Sequence, residues 1–449
     1  MFDLVIRGGT VVNADGVLEA DIAIENGVFA AVAPDLPEGA QEIDAKGLTV
    51  FPGLIDVHLH FNEPGRTEWE GIRSGSRAFA SGGGTAFFDM PLNSTPCTFD
   101  GPSFDEKRRA MEQSSLTDFG LWGGLTPNNL DTLDELAERG VIGFKAFMCD
   151  SGLPEFERAD DLTLYEGMRV AARWGLPVAV HAESEELIKG LTRRIRATGG
   201  TTARDYLNSR PMLAEQEAIQ RAALIASEVG ARLHIVHVSS GRGVALAAEL
   251  RATGVDLTIE TCPQYLLFNE EDMERLGAVA KCSPPLRPAS EQALLWNNVL
   301  AGDVDIIASD HSPAPPEMKT DADFFRLWGG IAGVQSTLGV LLEAGFLQRH
   351  LALSAIASLT ATAPAKRFHV ASKGAIAPGF DADCCLVDTQ ASYVVTTESL
   401  RYRHKQSPYV GRRLRGEVRR TIRRGVTIYE NGNIMEEGSG RMIRPAGGE

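Results

Sequence analysis

No stretch of this chain stays apolar for the ~18–20 residues that a membrane span requires, so a bilayer-crossing helix is not expected. Its opening residues, Met1-Phe2-Asp3-Leu4-Val5-Ile6-Arg7, lack the cationic stretch and apolar core of a secretory signal and read as a first strand. Cysteine is sparse. Cys97, Cys149, Cys262, Cys282, Cys384 and Cys385 are scattered and never form C-x-x-C, which argues against a disulfide framework and against a thiolate zinc site. No G-x-G-x-x-G follows the first strand, which removes the signature of a dinucleotide-binding open sheet. Gly82-Gly83-Gly84 has no Lys-Ser/Thr after it and is a turn, not a phosphate loop. Basic residues are outnumbered, 44 to 60, for a formal net charge of −16, and an acidic surface disfavours nonspecific nucleic-acid binding. A cytoplasmic protein with neither a membrane nor a nucleic-acid partner is expected. One region runs against the charge: residues 401–424 hold ten Lys/Arg and a single acid, Glu417. Its aromatics are few, Tyr402 and Tyr409, and none stands among the arginines of 412–424 to stack on bases, so a basic strip lying on the acidic body or at a subunit contact is favoured over a nucleic-acid arm.

What the chain does have is punctuation. Its 46 glycines and 22 prolines divide 449 residues into many short elements, within a length that suits one large domain and a smaller one. Residues 1–50 read as short strands, with turn signals at Asn13-Ala14-Asp15-Gly16 and Glu25-Asn26-Gly27. The same texture returns at Asp383-Cys384-Cys385-Leu386-Val387 and at 421–429. Neither end holds enough strand for a core of its own, so one small β-domain built from 1–50 plus 374–449 is expected. The segment 51–373 between them alternates strand-like runs (51–58, 83–90, 118–125, 143–148, 177–183, 232–238, 256–262 and 305–310) with amphipathic stretches such as 129–139, 163–174, 212–229 and 241–252. Eight strands with intervening helices give the α/β expectation of a (β/α)8 TIM barrel, whose chemistry sits at the C-terminal strand ends, joined to a small β-sandwich.

Ligand-type residues fall at those ends. Gly53-Leu54-Ile55-Asp56-Val57-His58-Leu59-His60 carries two histidines at i and i+2, on one face of a strand, where they can hold a metal ion. A buried, satisfied histidine pair would look the same. Four more candidates shift the balance: Lys145 in Gly143-Phe144-Lys145-Ala146-Phe147-Met148, His181 in Val178-Ala179-Val180-His181, His237 ending Leu233-His234-Ile235-Val236-His237, and Asp310 ending Ile306-Ile307-Ala308-Ser309-Asp310. Lys145 is informative because a lysine among apolar neighbours is rarely buried unless paired or held neutral. An ammonium cannot bind a metal, but a neutral amine can take up carbon dioxide as a carbamate, whose two oxygens can bridge two ions. Four His, one carbamate and Asp310 would hold two divalent ions about 3.5–4 Å apart. Imidazole-plus-oxygen ligation suits zinc, with cobalt, iron or manganese as alternatives. His234 and His311 fall on the opposite faces of their strands.

The motifs Asp56-Val57-His58-Leu59-His60-Phe61-Asn62-Glu63-Pro64-Gly65-Arg66, Phe88-Asp89-Met90-Pro91-Leu92-Asn93-Ser94, Gly143–Met148, His181-Ala182-Glu183, His237-Val238-Ser239-Ser240, Lys281-Cys282-Ser283-Pro284-Pro285-Leu286-Arg287, Ser309-Asp310-His311-Ser312-Pro313 and Trp328–Gln335 resemble the cyclic amidohydrolases from Leu4 to about Gly432. Phe61-Asn62, Met90–Ser94 and Trp328–Gln335 are similar to the allantoinase branch of that family. The resemblance implies a binuclear centre held by His58, His60, carboxylated Lys145, His181, His237 and Asp310, and hydrolytic opening of the allantoin ring with Asp310 as acid–base. It also implies a homo-oligomer, commonly a tetramer, and a small-molecule substrate. Cys262-Pro263-Gln264-Tyr265 departs from the Cys-Pro-His-Tyr usual in that branch and is similar to hydantoinases, whereas Met148-Cys149-Asp150 lacks the tyrosine usual there. Dihydroorotases place an arginine where this chain has Asn62, a neutral residue suited to a neutral ring. Candidate contacts to the ring and its ureido arm are Asn62, Asn93, Ser283 and the backbone of Gly330.

Overall fold

The computed structural model describes residues 1–446, leaving the last three residues of the expected 374–449 segment outside. A nine-stranded sheet takes its strands from both ends of the chain: the N-terminal part supplies Phe2–Asn13, Gly16–Glu25, Val28–Ala33, Gly39–Asp44 and Thr49–Pro52, the C-terminal part Cys384–Val394, Arg413–Arg423, Val426–Glu430 and Asn433–Ile434. The two parts meet where Thr49–Pro52 pairs antiparallel with Cys384–Val387. Apolar residues from both, among them Ile6, Val11, Ile22, Phe29, Leu386 and Ile422, share one buried cluster.

The expected strand 51–58 is divided at Gly53. Phe51 pairs within the β-layer, and Leu54–Leu59 begins a second, parallel system. A Cβ at Gly53 would lie 2.2 Å from the Thr85 hydroxyl, so only glycine allows the chain to change layers this close to the next strand.

That second system is the TIM barrel. Its strands are Leu54–Leu59, Gly84–Asp89, Asp118–Leu121 with Gly123–Gly124, Phe144–Phe147, Pro177–His181, Arg232–Ile235, Leu257–Thr261 and Ile306–Ile307, each parallel to the next. Only two of the six residues expected at 305–310 are extended. The barrel nevertheless closes just beyond them, where the His60 N–H donates to the His311 carbonyl at 2.8 Å. Phe368 packs edge-on against Phe88 and Trp122 within a buried cluster that also takes in Val57, Ile142 and Ala179 from neighbouring strands. Outside, the amphipathic stretches form helices Leu133–Arg139, Asp161–Arg173, Met212–Val229 and Gly241–Ala252. The first of these ends at Gly140, whose φ of 89° provides the left-handed cap. No described helix is long and apolar enough to cross a membrane.

The basic strip 401–424 folds back on the protein's own acids and carbonyls. Arg412 reaches Asp272, Arg419 reaches Asp388, Arg420 reaches Glu430, and Arg424 reaches Asp118. Arg403 donates to the Glu70 carbonyl, and His404 lies against that of Glu68. The barrel and the β-layer are joined beneath by Lys373, a buried ammonium 2.9 Å from Asp118, 2.9 Å from Asp381 and 2.6 Å from Asp383. Removing the cation strands three carboxylates, so Lys373→Met should cost about 3–5 kcal/mol of stability, read as a lower urea midpoint with an unchanged slope. An unchanged midpoint would mean these carboxylates are satisfied without it.

Candidate metal centre

The C-terminal mouth of the barrel opens into a cleft of about 1140 Å³ whose inner end is formed by His58, His60, His181, His237 and Asp310. His58 Nε2 lies 3.2 Å and His60 Nε2 3.6 Å from the same Asp310 carboxylate oxygen. The His237 ring is 5.4 Å from that of His58 and 4.5 Å from that of His181, centroid to centroid. His237 and Asp310 have φ values of 41° and 44°, a left-handed backbone that ordinary residues avoid and that collects at functional sites. In both cases the strand stops and the chain turns sharply, aiming the side chain across the barrel mouth.

Lys145 lies under this group with no measurable exposure, and its amine has no hydrogen-bond partner. Burial pulls its pKa down from 10.5 to about 8, because an ammonium cannot be solvated there. Its amine lies 5.0 Å from the centroid of the Phe147 ring, which also stacks on His181. Burial pushes the Asp310 carboxyl up, but the His58 and His60 imidazoles outweigh it and leave its pKa lowered. Asp310 is therefore ionised at neutral pH.

Two carboxylates that the sequence reading did not single out fix the histidines. Glu260 accepts from His58 Nδ1 at 2.8 Å, from the His237 backbone N–H at 2.9 Å and from His234 Nε2 at 3.0 Å. A carboxylate only accepts, so Nδ1 of His58 carries a proton, and the neutral imidazole then turns its Nε2 lone pair toward Asp310. Two acceptors 3.2 Å apart repel unless a cation stands between them, and the donor set is that of a divalent metal site. Glu183 does the same for His181, taking its Nε2–H at 2.8 Å while paired with Arg210. That leaves His181 Nδ1 with a lone pair to offer, and the His60 Nδ1, His237 Nδ1 and Lys145 amine are buried without partners. His234 bonds Thr258 with its other nitrogen and reaches the centre only through Glu260. The sequence signal for Glu260 was weaker than that for Lys145: it is the one charged residue of the strand Leu257–Thr261, but threonines stand on both sides of it in that strand.

Glu260→Gln keeps the size and removes the charge. Affinity for zinc, measured by chelator competition, should weaken about 10–100-fold while the metal-stripped protein melts as before. Equal affinity in the two proteins would show that His58 is held by other means.

The four candidate substrate contacts separate into two groups. Asn93 and Ser283 line the cleft. Asn62 and Gly330 are not among its lining residues. Asn62 is buried with both side-chain polar atoms unpartnered and φ 65°, and the Gly330 carbonyl is taken by Lys319 at 2.8 Å. Arg66, Trp69, Arg210, Lys281 and Trp328 line the cleft instead, positions to which no sequence motif had assigned a role.

The pattern described as the amidohydrolase family matches residues 49–428. The chain belongs to the amidohydrolase family. It is 62% identical over 445 residues to a protein of Solibacter usitatus named allantoinase, covering 99% of this chain and 97% of that one. A second protein of that name, from Deinococcus radiodurans, is 54% identical with 99% of both chains covered. Among solved structures, the L-hydantoinase (dihydropyrimidinase) from Arthrobacter aurescens superposes with a TM-score of 0.97 at 33% identity, over 99% of this chain and all of that one. The dihydropyrimidinase from Brevibacillus agri follows with 0.92 at 29%. The family and the barrel expected from the motifs are thus borne out, and amidohydrolases typically use a binuclear metal centre.

Proposed function

We propose that this amidohydrolase opens the hydantoin ring of allantoin, adding water across the cyclic amide to give allantoate. The observation that carries the reading is the convergence of His58, His60 and Asp310 acceptors on one point at the barrel mouth. Full-length relatives named allantoinase at 54–62% identity support the choice of ring. His58, His60, His181, His237, Asp310 and carboxylated Lys145 would hold two divalent ions, zinc by preference, with cobalt, iron or manganese as alternatives. Carboxylation fits a buried amine whose pKa is lowered to about 8, which brings its neutral form within reach near neutral pH: the lone pair of that form makes the N–C bond to carbon dioxide and one N–H proton leaves, giving an anion where a cation was costly.

When bound, such ions lower the pKa of a coordinated water from 15.7 toward about 7 and polarise the amide carbonyl. Asp310, ionised and facing the cleft, takes the proton of the attacking water and returns it to the ring nitrogen as the C–N bond breaks. Asn93 and Ser283 hold the ring and its ureido arm from the cleft wall. Within the expected 51–373 segment, the barrel from Leu54 onward forms the catalytic unit, and 1–52 with 374–446 the β-domain that braces it. We place the enzyme in the cytoplasm as a homotetramer with no nucleic-acid or membrane partner.

Hydantoin or dihydropyrimidine hydrolysis is the second reading, favoured by the L-hydantoinase likeness and by Gln264. The absence of an arginine at Asn62 weighs against dihydroorotate. The test is a panel of allantoin, hydantoin, dihydrouracil and dihydroorotate with zinc-reconstituted protein. Allantoin should give the highest kcat/KM; faster turnover of any other member would replace it as substrate.

A further inference from the structure

Two lysines outside the metal centre converge on one wall of the cleft. Lys281 is buried and donates to the carbonyls of Phe325 and Leu327 at 3.2 and 2.5 Å, its ammonium 4.7 Å from the Tyr206 ring. Lys319 runs a half-buried stem to an ammonium held by three carbonyls, those of Ala278, Trp328 and Gly330, at 2.9, 2.9 and 2.8 Å. Four carbonyls of the 325–330 segment are therefore held by two cations: those of Phe325 and Leu327 by Lys281, which lines the cleft, and those of Trp328 and Gly330 by Lys319, which stands behind its lining. In a trans peptide the N–H points opposite to the C=O it follows. With the Trp328 carbonyl on Lys319, the Gly329 N–H faces the other way, and it has no acceptor among the described residues. Gly329 lines the cleft, and a Cβ there would stand 3.6 Å from Ser283 Oγ, so this N–H and the Ser283 hydroxyl belong to one wall.

We propose that Lys319, supported by Lys281, is the positioning residue that orients the 325–330 segment so that the Gly329 N–H is presented to a carbonyl oxygen of the substrate. The proposal rests on the cyclic-amide reading, and it moves the backbone contact expected at Gly330 by one residue. Burial brings both amines down to about 7. Around Lys281 stand Arg210, Lys319, Asp323 and Cys282; Cys282 also faces Lys319. As pH rises through neutrality Lys319 loses one of the three protons that its carbonyls share, and the wall should loosen.

The experiment compares Lys319→Met and Lys281→Met with the unaltered zinc enzyme on whichever cyclic amide it opens. Lys319→Met should keep its metal and keep kcat within a few-fold, while KM rises about tenfold or more, one hydrogen bond's worth; Lys281→Met should move KM the same way by less. Unchanged KM in folded, metal-replete Lys319→Met, or a loss carried by kcat, overturns the proposal. Hydrogen exchange on the unaltered protein needs no variant to fold and no substrate. Protection of the 326–330 amides, corrected for intrinsic rate, should fall between about pH 6 and about pH 8.5, and protection that does not change overturns the role of Lys319. If none of the panel is turned over, the activity reading fails, and the exchange result still decides the positioning claim.

Discussion

Lys145→Ala should abolish zinc retention and lower kcat/KM by at least about 10³-fold, since the ions are expected to supply several kcal/mol of the rate enhancement. The substitution removes an amine that has no partner and is fully buried, so the fold has little to lose beyond packing around Phe147. Short carboxylic acids that fit the vacated space should restore part of both metal content and rate, because they supply the two oxygens the carbamate would have provided. Lysine modification and metal loss are then a single event: protein stripped of carbon dioxide should lose metal as the variant does. Full activity in a folded, metal-replete Lys145→Ala protein would show that the amine is structural.

Asp310→Asn makes the complementary case. The amide keeps the size and one oxygen facing His58 and His60, so metal content should survive. The proton acceptor is gone, however, and kcat should fall by about 10²–10⁴-fold, the usual worth of general acid–base catalysis, with KM little changed. The two variants therefore separate holding the ions from moving the proton. If Asp310→Asn lost metal as readily as Lys145→Ala, Asp310 would be a ligand first and its acid–base role would be unsupported.

The parts of this site that were legible in the sequence are those where chemistry conflicts with local pattern. His58, His60, Lys145, His181, His237 and Asp310 are polar groups in apolar runs that end strands, and a barrel gathers strand ends in one place. Glu260 had a weaker form of that signal and was passed over, because a carboxylate that serves a histidine rather than a metal leaves no spacing to notice. The cleft wall was hidden for a different reason. Which face of 325–330 meets the substrate depends on where its carbonyls go, and they go to Lys281 and Lys319, one 44 residues before Phe325 and the other 9 before Trp328. Asn62, expected to contact substrate from its place beside the histidine pair, is buried in a turn at φ 65° with both side-chain polar atoms unpartnered, a conformation that no neighbouring residue announces. The division of the strand at Gly53 had a local cue in Pro52-Gly53, which bounds the histidine run, but the reason only glycine fits is Thr85, a residue on the neighbouring strand.

The claim on which the rest stands is that two ions share one lysine carbamate, and it can be counted. Protein loaded with zinc in the presence of ¹³C-bicarbonate, desalted and measured for metal and for retained label, should carry two ions and one ¹³C per chain, with both lost together in Lys145→Ala. Chains that open allantoin at full rate while holding one ion and no label would contradict it.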